Sequence, residues 1–507
     1  MFTAFVLFYN LDGRLLWNDE AETALLAGNV IKYGLPKVVV DGKNLIAYTA
    51  TSADSNEKQV WIWSPWLKEY VAAASFSLLG KSTAAARLPF AVAGFLGVVL
   101  FARLVFTMYG SHETAIIAML FFISSELFIL HVRQCRYYST VIFAEVWLIL
   151  GLYHLFNARY RRGALHMAMA LAVQFYCNYI IVIGNVLAIA LTALIANEHN
   201  RRLSWRYIAS GLAAFTLMAA PWILYARPWV QKGFIYMNFY FNNLRFYAVE
   251  VNFHLFPYIL LLIPAGYKAF KWGTGGKRLF PADNTPRQSA VEFFLWILIP
   301  LQLIIFSLAP GQFLRYVTSL IPVVSAIQAL LIMRYIKAAL VRYVLAGLIC
   351  LTNFLPVYGL YLLNYGHKPA FPIINLVRSI AAPYSDRMED VIRFLKKEAA
   401  PNESILVFDT EFPLMFYTGM QIIDGRLHSE KPIQKPDWIF LKCVSCMFDI
   451  EPMELPASIL NGYNRIEIEV HNTKTGGMIP DPDRYEYFSA EDKETFAIYK
   501  RKPDAPR

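Results

Sequence analysis

Charge is what this sequence has little of. Asp, Glu, Lys and Arg make up 17% of its 507 residues, where ordinary soluble domains carry about 25%. Apolar residues make up 57% and the mean hydropathy is +0.40, which argues against a chain built from soluble domains alone. Cysteine is scarce as well. Of five, Cys135, Cys177 and Cys350 lie in or beside apolar runs, and Cys443 and Cys446 form a lone C-x-x-C. With no second pair and no histidines nearby, a zinc or redox motif has weak support. Two unremarkable thiols or a local disulfide stay open. There is no tandem repeat of the length that builds solenoids, and no low-complexity run.

The apolar residues come in blocks of 17 to 21 with short polar pieces between them. As a helix rising about 1.5 Å per residue, such a block crosses the roughly 30 Å hydrocarbon layer. Spans are expected near 88–107, 114–130, 139–157, 165–177, 179–196, 207–226, 253–270, 291–308, 316–333 and 343–363. The blocks 165–177 and 179–196, parted only by Asn178, read as two short spans or one bent one. The opening MFTAFVLFY is too short to cross, and a first helix beginning upstream is expected. With it the count is eleven.

The net charge of +10 suggests nucleic acid in a soluble protein; here the basic residues sit in loops between apolar blocks. If the loop carrying Asp19 and Glu20 is outside, the inside loops hold fourteen basic residues, among them Arg159, Arg201, Lys268 and Arg334. The short outside connections at 131–138 and 309–315 then hold three, Arg133, Arg136 and Arg315. That asymmetry supports a cytoplasmic start and an external end. From about Pro372 the pattern changes. RMEDVIRFLKKEAAPNESILVFD reads as an amphipathic helix, a turn and a strand, and DWIFLKCV, NRIEIEV and TFAIYKR read as strands. The expected architecture is a polytopic α-helical membrane protein of about eleven spans. It comprises a membrane domain over 1–371 with an external loop at 18–64, and a small external α/β domain over 372–507.

The stretch WNDEAETALLAGNVIKYGLPKV, Trp17 to Val38, opens that loop. Asp19 and Glu22 are spaced as a capping box, Ala21, Ala24, Leu25 and Ile31 mark an apolar stripe, and Gly34 and Pro36 stop the helix. Asp19 therefore reads either as an N-cap contributing about 1 kcal/mol or as a functional acid. Loops of this length are usually functional. The outer ends of two other helices carry RQCRYYS and GQFLRYV, so the topology puts Asp19, Arg136 and Arg315 on one membrane face, with Tyr137, Tyr138 and Tyr316 alongside. Carboxylates and arginines at a lipid–water boundary suit an anionic headgroup and a proton acceptor. An arginine at a helix end is also commonly a snorkelling residue. Glu126 and Glu145 are either functional or partners of Arg133 and Arg136. His131, His154 and His254 read as ordinary membrane-edge histidines.

The run D-E-A-x-x-A-L-L-A-x-x-V-I-x-x-G-L-P over 19–36 resembles the first external loop of the GT-C membrane glycosyltransferases that use polyprenyl-phosphate sugars. These include the protein O-mannosyltransferases and the lipid A aminoarabinose and galacturonosyl transferases. SPWLKEYVAAASFSLLGKSTAAARLPFAVAGFLGVVL over 64–100, CRYYSTVIFAEVWLIL and FLRYVTSLIPVV are similar to further segments of that group, in order along most of the chain. The motifs are short; D-E followed by A-R-L-P is the most specific.

The resemblance implies a multi-pass enzyme of the cell (inner) membrane with its active site and C-terminal domain on the periplasmic or external side. It would move one sugar from a polyprenyl-phosphate donor to a lipid, glycan or protein acceptor, in the manner of cell-envelope or lipopolysaccharide glycosylation. Asp19 matches the family's catalytic acid, as general base in an inverting displacement, with Glu20 beside it. An interfacial Asp whose charge no lysine pairs is more basic than in water, which suits that task. Arg136, Arg315 and Tyr137 match the donor-phosphate residues. The family's E-K-P-P lysine is replaced by Ser64, and Glu57 and Lys58 are the nearby substitutes. That departure argues against a close aminoarabinose match and leaves a divalent metal open, with no cofactor required. The alternative is a lipid or solute transporter or flippase, and a third reading is an envelope scaffold. Against a transporter stand the missing repeat halves and the placement of charges at the outer helix ends.

Overall fold

The computed structural model describes residues 1–46, 54–199, 205–230, 240–264, 286–309, 311–359, 368–407, 412–424, 435–441, 444, 455, 457–473, 482 and 485–503. Cys443 and Cys446 lie outside them. The chain divides into two compact units.

The first unit comprises Met1–Leu7, Phe90–Arg133 and Tyr137–Val377 and is helical. Helices α1 (Phe2–Phe8), α2 (Asn18–Tyr33), α3 (Leu67–Leu79) and α4 (Thr83–Tyr109) open the chain, the middle two belonging wholly to the second unit. There follow α5 (His112–Ile123), α6 (Glu126–Val132), α7 (Tyr138–Phe156), α8 (Tyr160–Cys177), α9 (Tyr179–His199), α10 (Trp205–Ala226) and α11 (Tyr240–His254). Among the described residues four helices are long and apolar enough to cross a membrane: α4, α7, α10 and Leu314–Tyr335. The count is six if two bent pairs are each one span, and shorter apolar helices such as Ala339–Leu351 accompany them.

Three places differ from uniform apolar spans, each for a local reason. The stretch 114–130 breaks into α5 and α6 with a 62° bend, where Ser125 caps α6 by accepting from the Phe128 N–H. The span placed near 253–270 begins instead at Tyr240 and bends by 83° after His254. There Pro257 has no N–H to continue the ladder, and the Asn252 side chain accepts from the Tyr258 N–H at 2.9 Å. Asn178 is extended and splits 160–199 into two helices, α8 and α9. Helices α7 and α8 cross closely because Gly151 and Gly163 meet there: a Cβ on Gly163 would stand 2.6 Å from the Leu155 backbone nitrogen. Small residues allow such approaches between membrane helices.

The second unit comprises Phe8–Pro89, Gln134–Arg136 and Arg378–Arg507. Its sheet has the order β4-β3-β5-β7-β6, counting as β1 and β2 the hairpin Val39–Val40 and Asn44–Leu45 in the 18–64 loop. Strands β3 (Ser404–Val407), β4 (Gln421–Asp424) and β5 (Trp438–Phe440) run parallel, and β6 (Tyr463–His471) and β7 (Lys493–Arg501) are antiparallel. The amphipathic helix Arg387–Glu398 buries Met388, Val391, Ile392 and Leu395. The α/β pattern expected after Pro372 is therefore present, with β4 added.

Amide side chains fasten the loop to this sheet. Asn44 donates to the Met420 carbonyl and accepts from the Ile422 N–H, at 2.8 and 2.7 Å. Asn18 accepts from the Phe412 N–H. The Tyr417 hydroxyl accepts from the Leu16 N–H and shares a hydrogen bond with Thr83.

Candidate active site

Helix α2 starts two residues earlier than a cap at Asp19 requires. Its N-cap is Trp17, whose N–H is accepted by the Glu20 carboxylate at 3.3 Å. Asp19 thus lies inside the first turn and Glu22 is not its capping partner; Glu20, at the third helical position, makes the reciprocal contact. Gly34 ends the helix in the left-handed region at φ 73°, as Gly-x-Pro suggested. Ala21, Ala24 and Leu25 are buried, whereas Ile31 is exposed.

The adjacent carboxylates have opposite surroundings. Glu20 is fully buried. It accepts from Arg87 Nε at 2.8 Å and Nη2 at 2.6 Å, from the Cys135 N–H at 2.7 Å and from the Trp17 N–H. Arg87 in turn donates to the carbonyls of Leu11, Arg14 and Leu15, each at 2.8 Å. All five guanidinium N–H groups are then bonded.

Asp19 keeps 13% of its side chain exposed and stands 3.4 Å from Arg136 Nη2. Arg136 Nη1 also reaches the Asp19 carbonyl, Glu22 Oε1 and Thr23 Oγ1 at 3.0–3.2 Å. Asp19 is therefore paired, by an arginine from the connection after α6.

Two ionisable residues that sequence reasoning passed over complete the cluster. Lys68 and Glu69, at the start of α3, are both buried and joined by a short ion pair, and Lys68 Nζ donates to Ser64 Oγ at 2.8 Å. Burial pushes the Glu69 carboxyl above the usual carboxylate range; the Lys68 charge opposes this and the Glu22 charge adds to it. Glu69 Oε2 is buried without a hydrogen bond. The signal was present in two places. The K-E pair sits directly before an apolar run, and Arg87 lies in the quoted A-R-L-P motif, where it received no role.

Arg136 and Asp19 are brought together. Lys58 is exposed on the turn after Asn56, and Glu57 is exposed beside it. Arg315 and Tyr137 belong to the helical unit. There Arg315 lies over the Phe313 ring at 4.2 Å, and the Tyr137 hydroxyl accepts from Asn178 Nδ2 at 3.1 Å. In the same unit Arg133 donates to the Val6 carbonyl, Glu145 is held by Gln174 and Asn185, and Glu126 stands 3.9 Å from His254. Among the described residues no three His, Cys, Asp or Glu side chains converge as a metal-binding group requires, and the steps proposed below involve none.

No family model matches this chain, and no curated protein sequence does. Solved structures do. The structure of ArnT from Cupriavidus metallidurans in the apo state is 15% identical over 83% of both chains, with a TM-score of 0.54. That of the same protein bound to undecaprenyl phosphate is 12% identical over 100% of this chain and 98% of that one, with a TM-score of 0.55. At such identity the likeness is one of fold, and it extends over the whole length: this chain is a membrane protein with the GT-C fold of ArnT.

Proposed function

We propose that this chain is a glycosyltransferase that moves one sugar from a polyprenyl-phosphate donor to a hydroxyl of a lipid, glycan or protein on the outer face of a cell membrane. The observation that carries this reading is the division of labour between the adjacent carboxylates. Glu20 has its oxygens saturated by a buried arginine and two backbone N–H groups. Asp19 keeps 13% of its side chain exposed, beside Arg136. The likeness to a structure bound to undecaprenyl phosphate supports the donor class.

In this reading Asp19 takes the proton from the acceptor hydroxyl as that oxygen attacks the anomeric carbon. The bond from that carbon to the phosphate oxygen breaks, its electron pair leaves with the polyprenyl monophosphate, and the configuration inverts. Arg136 orients the Asp19 carboxylate. Glu20 acts through Arg87 as a positioning residue, fixing the first turn of α2 against the connection that carries Arg136. Charge-assisted hydrogen bonds from arginine and lysine suit the developing phosphate charge. Arg136 and Lys68 are proposed for this from the cluster. Arg315, Tyr137 and Lys58 are proposed on the motif match alone.

One observation favours a transporter as the second reading. The bent helix pairs place Glu126 and His254 at their breaks, as ion or substrate sites in transporters do. The test separates the two. Wild type and Asp19→Asn are expressed at matched folded levels in a strain lacking the protein, and surface glycolipids and glycans are compared by mass spectrometry. A single sugar-sized mass gained with wild type and absent with Asp19→Asn upholds the transferase. An unchanged glycan profile from a folded Asp19→Asn protein overturns it and makes transport the reading to pursue.

A further inference from the structure

Helix α7, long and apolar enough to cross a membrane, carries a single acidic residue, Glu145. It lies about 10 Å along the axis from the first residue of the helix. Its side chain is fully buried, as are those of Gln174 on α8 and Asn185 on α9.

These three side chains bond one another. Gln174 Nε2 and Asn185 Nδ2 both donate to Glu145 Oε2, at 2.7 and 2.8 Å. Asn185 Nδ2 gives its second hydrogen to Gln174 Oε1 at 2.9 Å. Gln174 precedes the extended Asn178, where the α8–α9 break falls, and Asn185 follows it. One carboxyl oxygen on α7 therefore holds amides from both sides of that break.

The other half of the cluster is out of balance. Glu145 Oε1 and Asn185 Oδ1 are buried without a hydrogen bond. Both are oxygens, and Asn185 has already spent its two N–H groups. Among the described residues the partners of Glu145 are the two amides, with no cationic side chain.

An ionised Glu145 would set a whole negative charge in the interior of a membrane bundle with no counter-ion, which is costly. A trapped water could bond both orphaned oxygens, yet the charge would remain. A proton on Oε1 answers every condition at once. It removes the charge, converts Oε1 from an orphaned acceptor into a donor, and gives Asn185 Oδ1 a hydrogen to accept. Oε2 then becomes the carbonyl oxygen of a neutral acid, whose two lone pairs match its two amide donors. We infer that Glu145 is a proton-binding site, a neutral carboxylic acid that ties the α8–α9 break to α7 as an uncharged hydrogen-bond hub. The inference does not rest on the transferase reading, and its failure leaves that reading untouched.

Infrared spectroscopy reads this protonation directly, because a neutral carboxyl has a C=O stretching band above the amide region and a carboxylate does not. The full chain is measured at neutral pH in dodecyl maltoside, a detergent without carbonyl groups. The wild type minus Glu145→Gln difference is expected to show one such carbonyl band, lost in the variant. Taking the difference cancels other protonated acids. Gln offers the same pairing of one carbonyl oxygen with one donor, so the variant is expected to fold. Gln174→Leu keeps the acid but removes one of the two donors to Oε2, and is expected to shift the band to higher frequency. Should Glu145→Gln fail to fold, that shift alone upholds or overturns the site. Carboxylate stretching bands in the difference spectrum in place of the carbonyl band overturn the inference. So does a carbonyl band that neither variant removes or moves.

Discussion

Replacing Arg87 with Met should unfasten the first turn of α2 without touching Asp19. The Arg87 guanidinium has five N–H groups and five partners: two Glu20 oxygens and the carbonyls of Leu11, Arg14 and Leu15. Removing it leaves the Glu20 carboxylate buried beside only the Trp17 and Cys135 N–H groups. Removing one partner of a buried, hydrogen-bonded ion pair costs about 3–5 kcal/mol. Arg87→Lys keeps the charge but supplies only three donors without the planar fork. Two lost bonds, each about 1.5 kcal/mol when a charged group is involved, give a cost of about 3 kcal/mol.

Cys135 is a built-in reporter, because its N–H bonds Glu20 and its thiol is fully buried, with burial pushing the thiol well above its usual range. If labelling requires local opening, 3–5 kcal/mol raises its alkylation rate about a hundred- to several-thousand-fold. The double variant Glu20→Leu/Arg87→Met should cost less than the sum of the single ones, since neither charge is then stranded. Arg87→Met with Cys135 labelling and thermal midpoint close to wild type would refute the idea that this pair holds the site together.

Three further outcomes are expected. Lys68→Met leaves Glu69 buried without its counter-ion and should destabilise the chain by about 3–5 kcal/mol, while Lys68→Met/Glu69→Gln recovers part of that in a thermal melt. Gly163→Ala sets a methyl against the Leu155 backbone nitrogen and the Gly151 carbonyl and should cost about 1–3 kcal/mol by overpacking, read from the melting of detergent-solubilised protein. Asp386, the buried N-cap of the helix Arg387–Glu398, has its carboxyl pushed up to about 7, chiefly by burial and against the Glu389 N–H that it accepts. The folded state then holds a proton that the unfolded state releases near pH 4, so stability falls as pH rises from about 4 to 7. Asn is as good a cap, so Asp386→Asn should keep the helix and flatten that slope in melts across the range.

The sequence carried the helices and strands further than it carried their breaks. An apolar block announces a span through its length, and Ser124–Ser125 or Asn178 inside such a block barely lowers its hydropathy. Yet each ends a helix, because short polar side chains bond the backbone locally. The α/β pattern beyond Pro372 was legible from its periodicity. Its union with the 18–64 loop in one compact unit was not, since that rests on single amides such as Asn44 meeting backbone more than 370 residues away.

The candidate site divides along the same line. The expected topology drew Asp19 and Arg136 together, because it placed both on one face of the membrane. Which of two neighbouring acids stayed available was beyond it. Consecutive residues on a helix point about 100° apart, so Asp19 and Glu20 meet different partners however alike they look in sequence. Arg87 and the Cys135 N–H stand on Glu20's side and saturate it. Arg136, shared with Glu22 and Thr23, stands on Asp19's side and leaves it partly open. A carboxylate whose lone pairs are all taken by fixed donors accepts a further proton only by breaking them, so in the proposed reading the opening D-E pair works as one acid braced by the other.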